Sequence, residues 1–302
     1  MTMRREMIQT MVKARRLLDD SADSVRCFVL NQQDADGGFC GRSRNSDLYY
    51  TVFAMEILIA LECPAPIERV HAFLRTFDHG QALDLVHLAS LARCWADLAD
   101  CTGRSVDTHV QEGMIQRMQG LRCSDGGFST NASDIHGNAY GCFLALTMCQ
   151  DLGIDLPEPE LILKCLKSLA TDDGGFANMP NSMLATTPST AAALCVHHIL
   201  GHALPEDPAV WLMHRIHSQG GFCAIAGEGR LNLPDLLSTA TALQALSYSR
   251  LPLQQPSARH LDFLDSLWDP RGGFGANWAD PAIDCEYTYY GILSLGHLAH
   301  IS

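Results

Sequence analysis

The chain has 302 residues, 47% of them hydrophobic, and a formal net charge of −13 at pH 7. That is ample for a large core, and the acidic balance excludes a basic surface for nucleic acid or an anionic membrane, with no Lys/Arg cluster to reverse the sign locally. No run of 18 apolar residues occurs, so no transmembrane helix is predicted.

The first thirty residues are charged throughout, yet Met7, Ile8, Met11, Val12, Leu17 and Leu18 recur at helical spacing. They predict an amphipathic first helix and not a signal peptide. Twelve cysteines follow along the chain, many in apolar helical segments (Cys63, Cys94, Cys142, Cys149, Cys165, Cys195), with no C-x-x-C pair. They read as small buried hydrophobes in a reducing, cytoplasmic setting.

The phrase Gly-Gly-Phe stands at 37–39, 126–128, 174–176, 220–222 and 272–274. Its Phe residues are spaced by 89, 48, 46 and 52 residues, so a degenerate copy is expected near Asp78-His79-Gly80. Six units result, making one domain over residues 1–302. Each unit holds an amphipathic helix, the glycine turn, a polar loop and a second helix that is apolar on nearly every side, as in YYTVFAMEILIAL or STAAALCVHHIL. An all-round apolar helix is buried, so the second helices should form an inner ring and the first an outer one.

The Gln33-Asp34-Ala35-Asp36-Gly37-Gly38-Phe39 turn and its copies resemble the repeats of the terpenoid cyclase and protein prenyltransferase superfamily. The resemblance spans nearly the whole chain. It implies an all-α fold, an α/α toroid of six inner helices around a lumen open at one end. Thioester domains of the α-macroglobulin and complement family share that toroid, but their Cys-Gly-Glu-Gln motif is absent here.

The resemblance also implies that functional side chains stand where the inner helices begin. On an Asp-x-x-x-Thr frame the six starts are Asp47–Thr51, Asp84–Leu88, His136–Tyr140, Thr186–Thr190, Asp235–Thr239 and Asp284–Thr288. An Asp at the first position is also an ordinary helix N-cap. The varied inner positions of the frame are the better candidates for function, because scaffold demands repeat from copy to copy. They include Tyr49, Tyr50, His87, Asn138, Ser189 and Ser238, and Tyr140, Asp235, His136 and Trp278 join the substrate-binding candidates.

In the cyclases the frame reads Asp-x-Asp-Asp-Thr, with an acid at the third position that protonates an alkene or epoxide. Asp284-Cys285-Glu286-Tyr287-Thr288 is similar, with Glu286 at the acid's place and Tyr287 replacing its neighbour. Glu286, Asp284, Tyr287 and Asp47 are therefore the catalytic candidates. Tyr289, Tyr290 and Trp278 would offer π faces to a carbocation. The prenyltransferases hold zinc with Asp-x-Cys and a His in the fourth and fifth copies. Here Thr186, Pro188 and Leu237 or Ser238 stand at those places, and none is a good ligand. His136 matches a family His-Gly-Gly that helps hold a diphosphate. The loop cations that complete that site are missing, with Arg42 and Arg44 the only substitutes near a rim. His214 and His217, like His197 and His198, read as packing or surface histidines.

Three functions are in play. The first is an isoprenoid-handling enzyme, a cyclase or isomerase using acid–base chemistry on a polyprenyl chain in the lumen. The second is a prenyltransferase β-like subunit needing an α partner and zinc, which is not favoured. The third is a lipid-binding or scaffold toroid without chemistry. No metal ligand set is assigned and no cofactor named; zinc and magnesium stay open.

Overall fold

The computed structural model describes residues 1–131, 133–227, 232–249, 251–253 and 255–299. Its helices are α1 (Met3–Leu18), α2 (Ser21–Leu30), α3 (Leu48–Ala60), α4 (Ile67–Arg75), α5 (Leu85–Thr102), α6 (Thr108–Gln119), α7 (Ala139–Leu152), α8 (Pro159–Leu169), α9 (Thr187–Ile199), α10 (Glu206–Met213), α11 (Leu236–Ser247), α12 (Ser257–Asp265) and α13 (Cys285–Leu298). The segments apolar all round are the odd-numbered helices from α3 to α13. Each packs on the next, and α13 packs back on α3, so the inner ring closes. The shorter, one-faced even-numbered helices form the outer layer.

The Gly-Gly-Phe turn sets the register of every inner helix but one. Phe39 pairs antiparallel with Asp47, Phe222 with Asp235 and Phe274 with Asp284. The Asn138 and Thr186 amides likewise donate to the carbonyls of Phe128 and Phe176. The residue opposite each Phe is the N-cap of the inner helix that follows. In four units a threonine finishes the clamp. Thr51, Thr190, Thr239 and Thr288 each accept the buried Phe amide, at 2.9 to 3.2 Å. A buried N–H without such a partner is costly, which accounts for the repeated threonine.

The turns also join neighbouring units. Gly220 has φ +96°, and a Cβ there would lie 2.1 Å from the Arg259 carbonyl oxygen on the next outer helix. Only glycine permits that approach. Between the last unit and the first, Arg42 completes the ring. It donates to Asp280 at 2.6 Å, Asp284 at 2.7 Å and the Ala282 carbonyl at 3.0 Å. The loop arginine that sequence offered as a diphosphate ligand is thus a seam contact. In the degenerate second unit, Gly80 keeps a left-handed φ of +72° without the Phe clamp.

α1 belongs to neither ring. It packs on α13, α3 and α7 across the C-terminal end of the inner helices. Met3, Met11, Ala14 and Leu18 are its buried face, while Val12 and Leu17 of the expected stripe are exposed. Its polar anchors are unusual. Arg4, 4% exposed, pairs with Asp97 and Asp100 of α5 and Asp151 of α7. Glu6 accepts from the Tyr248 hydroxyl at 2.7 Å. All twelve cysteines are free thiols.

Candidate functional site

The inner ring encloses a cavity of 480 Å³, closed below by α1, whose Met7 reaches into it. The wall is aliphatic and aromatic, with Val52, Phe53, Phe143, Leu144, Tyr289 and Tyr290 among its side chains. Small residues widen one side: Ala191 and Ala192 line the space, whereas Ala240 is fully buried behind it.

The N-caps correct one register. The helix after Phe128 is capped by Asn138, whose side chain accepts from the Gly141 amide at 2.6 Å. The third frame therefore runs Asn138-Ala139-Tyr140-Gly141-Cys142, two residues later than expected. Cys142 replaces the threonine that would have marked it. His136 consequently lies outside the ring. Its side chain is 57% exposed and paired with Asp125 at 3.6 Å. In the corrected frame the third positions are Tyr49, Val86, Tyr140, Pro188, Leu237 and Glu286. Tyr49, Tyr140, Pro188 and Leu237 line the lumen.

Glu286 meets the lumen through Tyr49, whose hydroxyl donates to Glu286 Oε1 at 2.7 Å. Burial raises the Glu286 pKa and Asp284 adds to it, while the Tyr49 donor and Arg42 oppose. Burial also pushes the Tyr49 phenol far up, so it stays a donor. The rings of Tyr49, Phe53, Tyr289 and Tyr290 form a contiguous edge-to-face and tilted cluster, with centroids 4.7 to 5.7 Å apart. The Tyr140 phenol, in the same lumen, is raised to about 12 by burial.

The other candidates fall into groups. Asp284 caps α13 through the Tyr287 amide at 2.8 Å and takes the Arg42 guanidinium on its other oxygen. Tyr287 lies under Arg42, 5.3 Å from the guanidinium carbon to the ring centroid. Tyr50 lies against Gly41 and is not among the residues that line the cavity. Asp235 caps α11, accepting both the amide and the hydroxyl of Ser238 at 2.7 Å. Asp47 caps α3 and Asp84 caps α5, and His87 bridges them at 3.3 and 2.8 Å. The Asp47 bond first, then Asp84, raises His87 to about 9. His87 in turn holds the Asp47 carboxyl below its usual range. Trp278 sits away from the lumen. Its indole N–H donates to Ser266, and its ring packs against Phe263 and His217 in the outer layer.

The place where relatives would hold zinc does not fit the metal. Thr186 caps α9 against Ser189, and Pro188 and Leu237 give only apolar surface. Among the described residues no group of three His, Cys, Asp or Glu is arranged to take an ion.

The sequence frame missed the lumen's closed end. Glu56 and Arg93 form a buried bidentate pair there, and Arg93 also donates to Tyr289 at 3.1 Å. Asp151 and Gln244 stand beside them. Charged residues inside otherwise apolar helices were the available signal.

A closed ring of inner helices wrapped by an outer helical layer defines the α/α toroid class. The chain belongs to the prenyltransferase alpha-alpha toroid domain family, which it matches over residues 6–223 and 202–302. No curated protein matches it in sequence. Among solved structures it is similar to a type II terpene cyclase from Scytonema bound to geranylgeranyl dihydroxybenzoate. That likeness has 13% identity, 95% of this chain and 97% of that chain covered, and a TM-score of 0.63. It is also similar to an α-1,6-mannanase of Salegentibacter sp. HEL1_6, with 15% identity, 94% and 99% covered and a TM-score of 0.65. At these identities the likeness establishes the fold.

Proposed function

We propose that this toroid is an isoprenoid-handling enzyme, cyclase-like or isomerase-like, with Glu286 as the general acid. The observation that carries the reading is the junction of a desolvated carboxyl with an aromatic, apolar lumen. Glu286 Oε2 carries the proton. Transfer to an alkene carbon breaks the O–H bond, forms a C–H bond and leaves a tertiary cation facing the Tyr49, Tyr289 and Tyr290 rings. The Tyr49 donor on Oε1 stabilises the carboxylate left behind. The cation then closes a ring, loses a proton or takes up water.

The lumen supports a hydrocarbon chain better than a sugar chain. Glycoside cleavage uses two carboxyl groups flanking the scissile bond. Here Asp47, Asp84, Asp235 and Asp284 all accept helix N-terminal amides. A transferase with an α partner lacks its zinc ligands. The test is incubation with isoprenoid alcohols, hydrocarbons and diphosphates, followed by product analysis. Wild type should convert at least one, and Glu286→Gln should slow that conversion roughly 10²–10⁴-fold. Undiminished turnover by Glu286→Gln overturns the acid assignment. Tight binding of an isoprenoid with no product would favour a lipid-binding toroid.

A further inference from the structure

We propose that the closed end of the lumen is a binding site for a neutral hydroxyl head group, so that an isoprenoid alcohol enters head first and leaves its distal alkene at the rim. The inference rests on the cyclase-like reading for the nature of the tail. The head site stands on the geometry of the floor.

The ninth residues of the inner helices α3, α5, α7 and α11 are Glu56, Arg93, Thr147 and Gln244. At 1.5 Å of rise per residue they lie about 10 Å below the level of Tyr49 and Tyr140. Asp151 is one turn deeper on α7. Arg93, Thr147, Asp151 and Gln244 all line the cavity. Nearer the rim the polar lining is uncharged, as at Asn178, Thr186 and Ser189, and the charged side chains that line the cavity, Arg93 and Asp151, stand only at the far end.

Two of these groups have unused capacity. The Asp151 side chain is 3% exposed, and its one hydrogen bond uses Oδ1, which accepts from Arg4 Nε at 3.2 Å. Arg93 donates from Nε and Nη2 to Glu56, Tyr289 and Met7. Asp151 Oδ2 and Arg93 Nη1 have no partner among the described residues. A pure hydrocarbon pressed onto this floor would strip both of water and replace nothing, at a cost that specificity depends on.

Charge selects the kind of head. The two charged groups that face the cavity already have counter-ions, Arg93 in Glu56 and Asp151 in Arg4. An added carboxylate or diphosphate would bring negative charge to a floor whose cations are already paired. A hydroxyl both donates, to Asp151 Oδ2, and accepts, from Arg93 Nη1, without adding charge.

Binding distinguishes this inference from the catalytic one, because it needs no turnover. Geranylgeraniol, its methyl ether and its diphosphate would be titrated against the whole protein by calorimetry. The alcohol should bind on the order of tenfold or more tightly than the ether, and more tightly than the diphosphate. Asp151→Asn should reduce the alcohol's advantage over the ether several-fold, with unfolding curves checking that α1 stays docked. A geranylgeraniol carrying a diazirine beside the hydroxyl should label α1 and the C-terminal half of α7 in the wild-type protein. Equal binding of alcohol and ether, an unchanged preference in Asp151→Asn, or labelling confined to rim peptides around Tyr49 overturns the head site. Failure of every isoprenoid to bind overturns the underlying reading as well.

Discussion

Tyr49 and Glu286 show how one hydrogen bond tunes an acid. The phenol favours the carboxylate form and therefore opposes the rise that burial imposes on Glu286. Removing it in Tyr49→Phe should raise the Glu286 pKa further. If Glu286 acts protonated, the alkaline limb of the pH–rate profile should move to higher pH in that variant. A limb that stays in place would mean the group setting it is not Glu286.

His87 gives a second titration at this scale. Its folded pKa of about 9 lies above the unfolded value, because the charged imidazolium joins two N-cap carboxylates. Its stabilising effect is complete below pH 6.5 and is lost as pH rises through 9. Half-exposure makes the effect modest. Melting temperatures of wild type and His87→Gln should converge between pH 7 and 10, the wild type falling toward the variant. The frame picked out His87 as a substrate ligand. Its two aspartates cap neighbouring inner helices from separate copies and are brought together by the packing of α3 on α5.

Among elements, the turn is where sequence was most readable. A Gly-Gly-Phe phrase followed by a capping residue and a threonine encodes a ladder, a clamp and a helix start within about fifteen residues. Local signals of that kind survive in a bare sequence. The reading slipped in the third unit for a local reason too. His136 and Asn138 both offer a polar start, and Cys142 removed the threonine that would have chosen between them. The turns differ in what they touch, which separates two alanine variants. Gly220→Ala must take both a left-handed φ and a collision with the Arg259 carbonyl. Gly174, at φ +92°, has its nearest neighbour 3.6 Å from an added Cβ. Gly174→Ala should cost about 1 kcal/mol of strain, and Gly220→Ala clearly more, by urea denaturation. Equal losses would show that packing between units is not what fixes the glycine.

For the whole molecule, the key device is the plug. α1 brings Arg4 to carboxylates on α5 and α7, closing the lumen and neutralising its floor. Arg4→Met would leave Asp97 and Asp151 buried without their cation. Breaking such a network costs about 3–5 kcal/mol, measurable by urea denaturation. The sign with pH follows from burial, which already raises Asp97 and takes Asp151 to about 6. Raised carboxyl pKa values mean that the folded state binds extra protons at low pH. The Arg4→Met deficit should therefore shrink between pH 8 and pH 5. A deficit independent of pH would show that packing, not charge, holds α1 in place.

The sequence by itself determined the repeat, the two rings, five of the six inner-helix caps and the place of a carboxyl at the start of the last inner helix, because each depends on neighbours within one unit. Ring closure at Arg42, the bridging of two caps by His87, the outward placement of Trp278 and the polar floor under α1 depended on tertiary structure. The Arg42, His87 and Arg4 contacts join residues from 40 to over 200 positions apart, and no local pattern records which distant helix ends will meet.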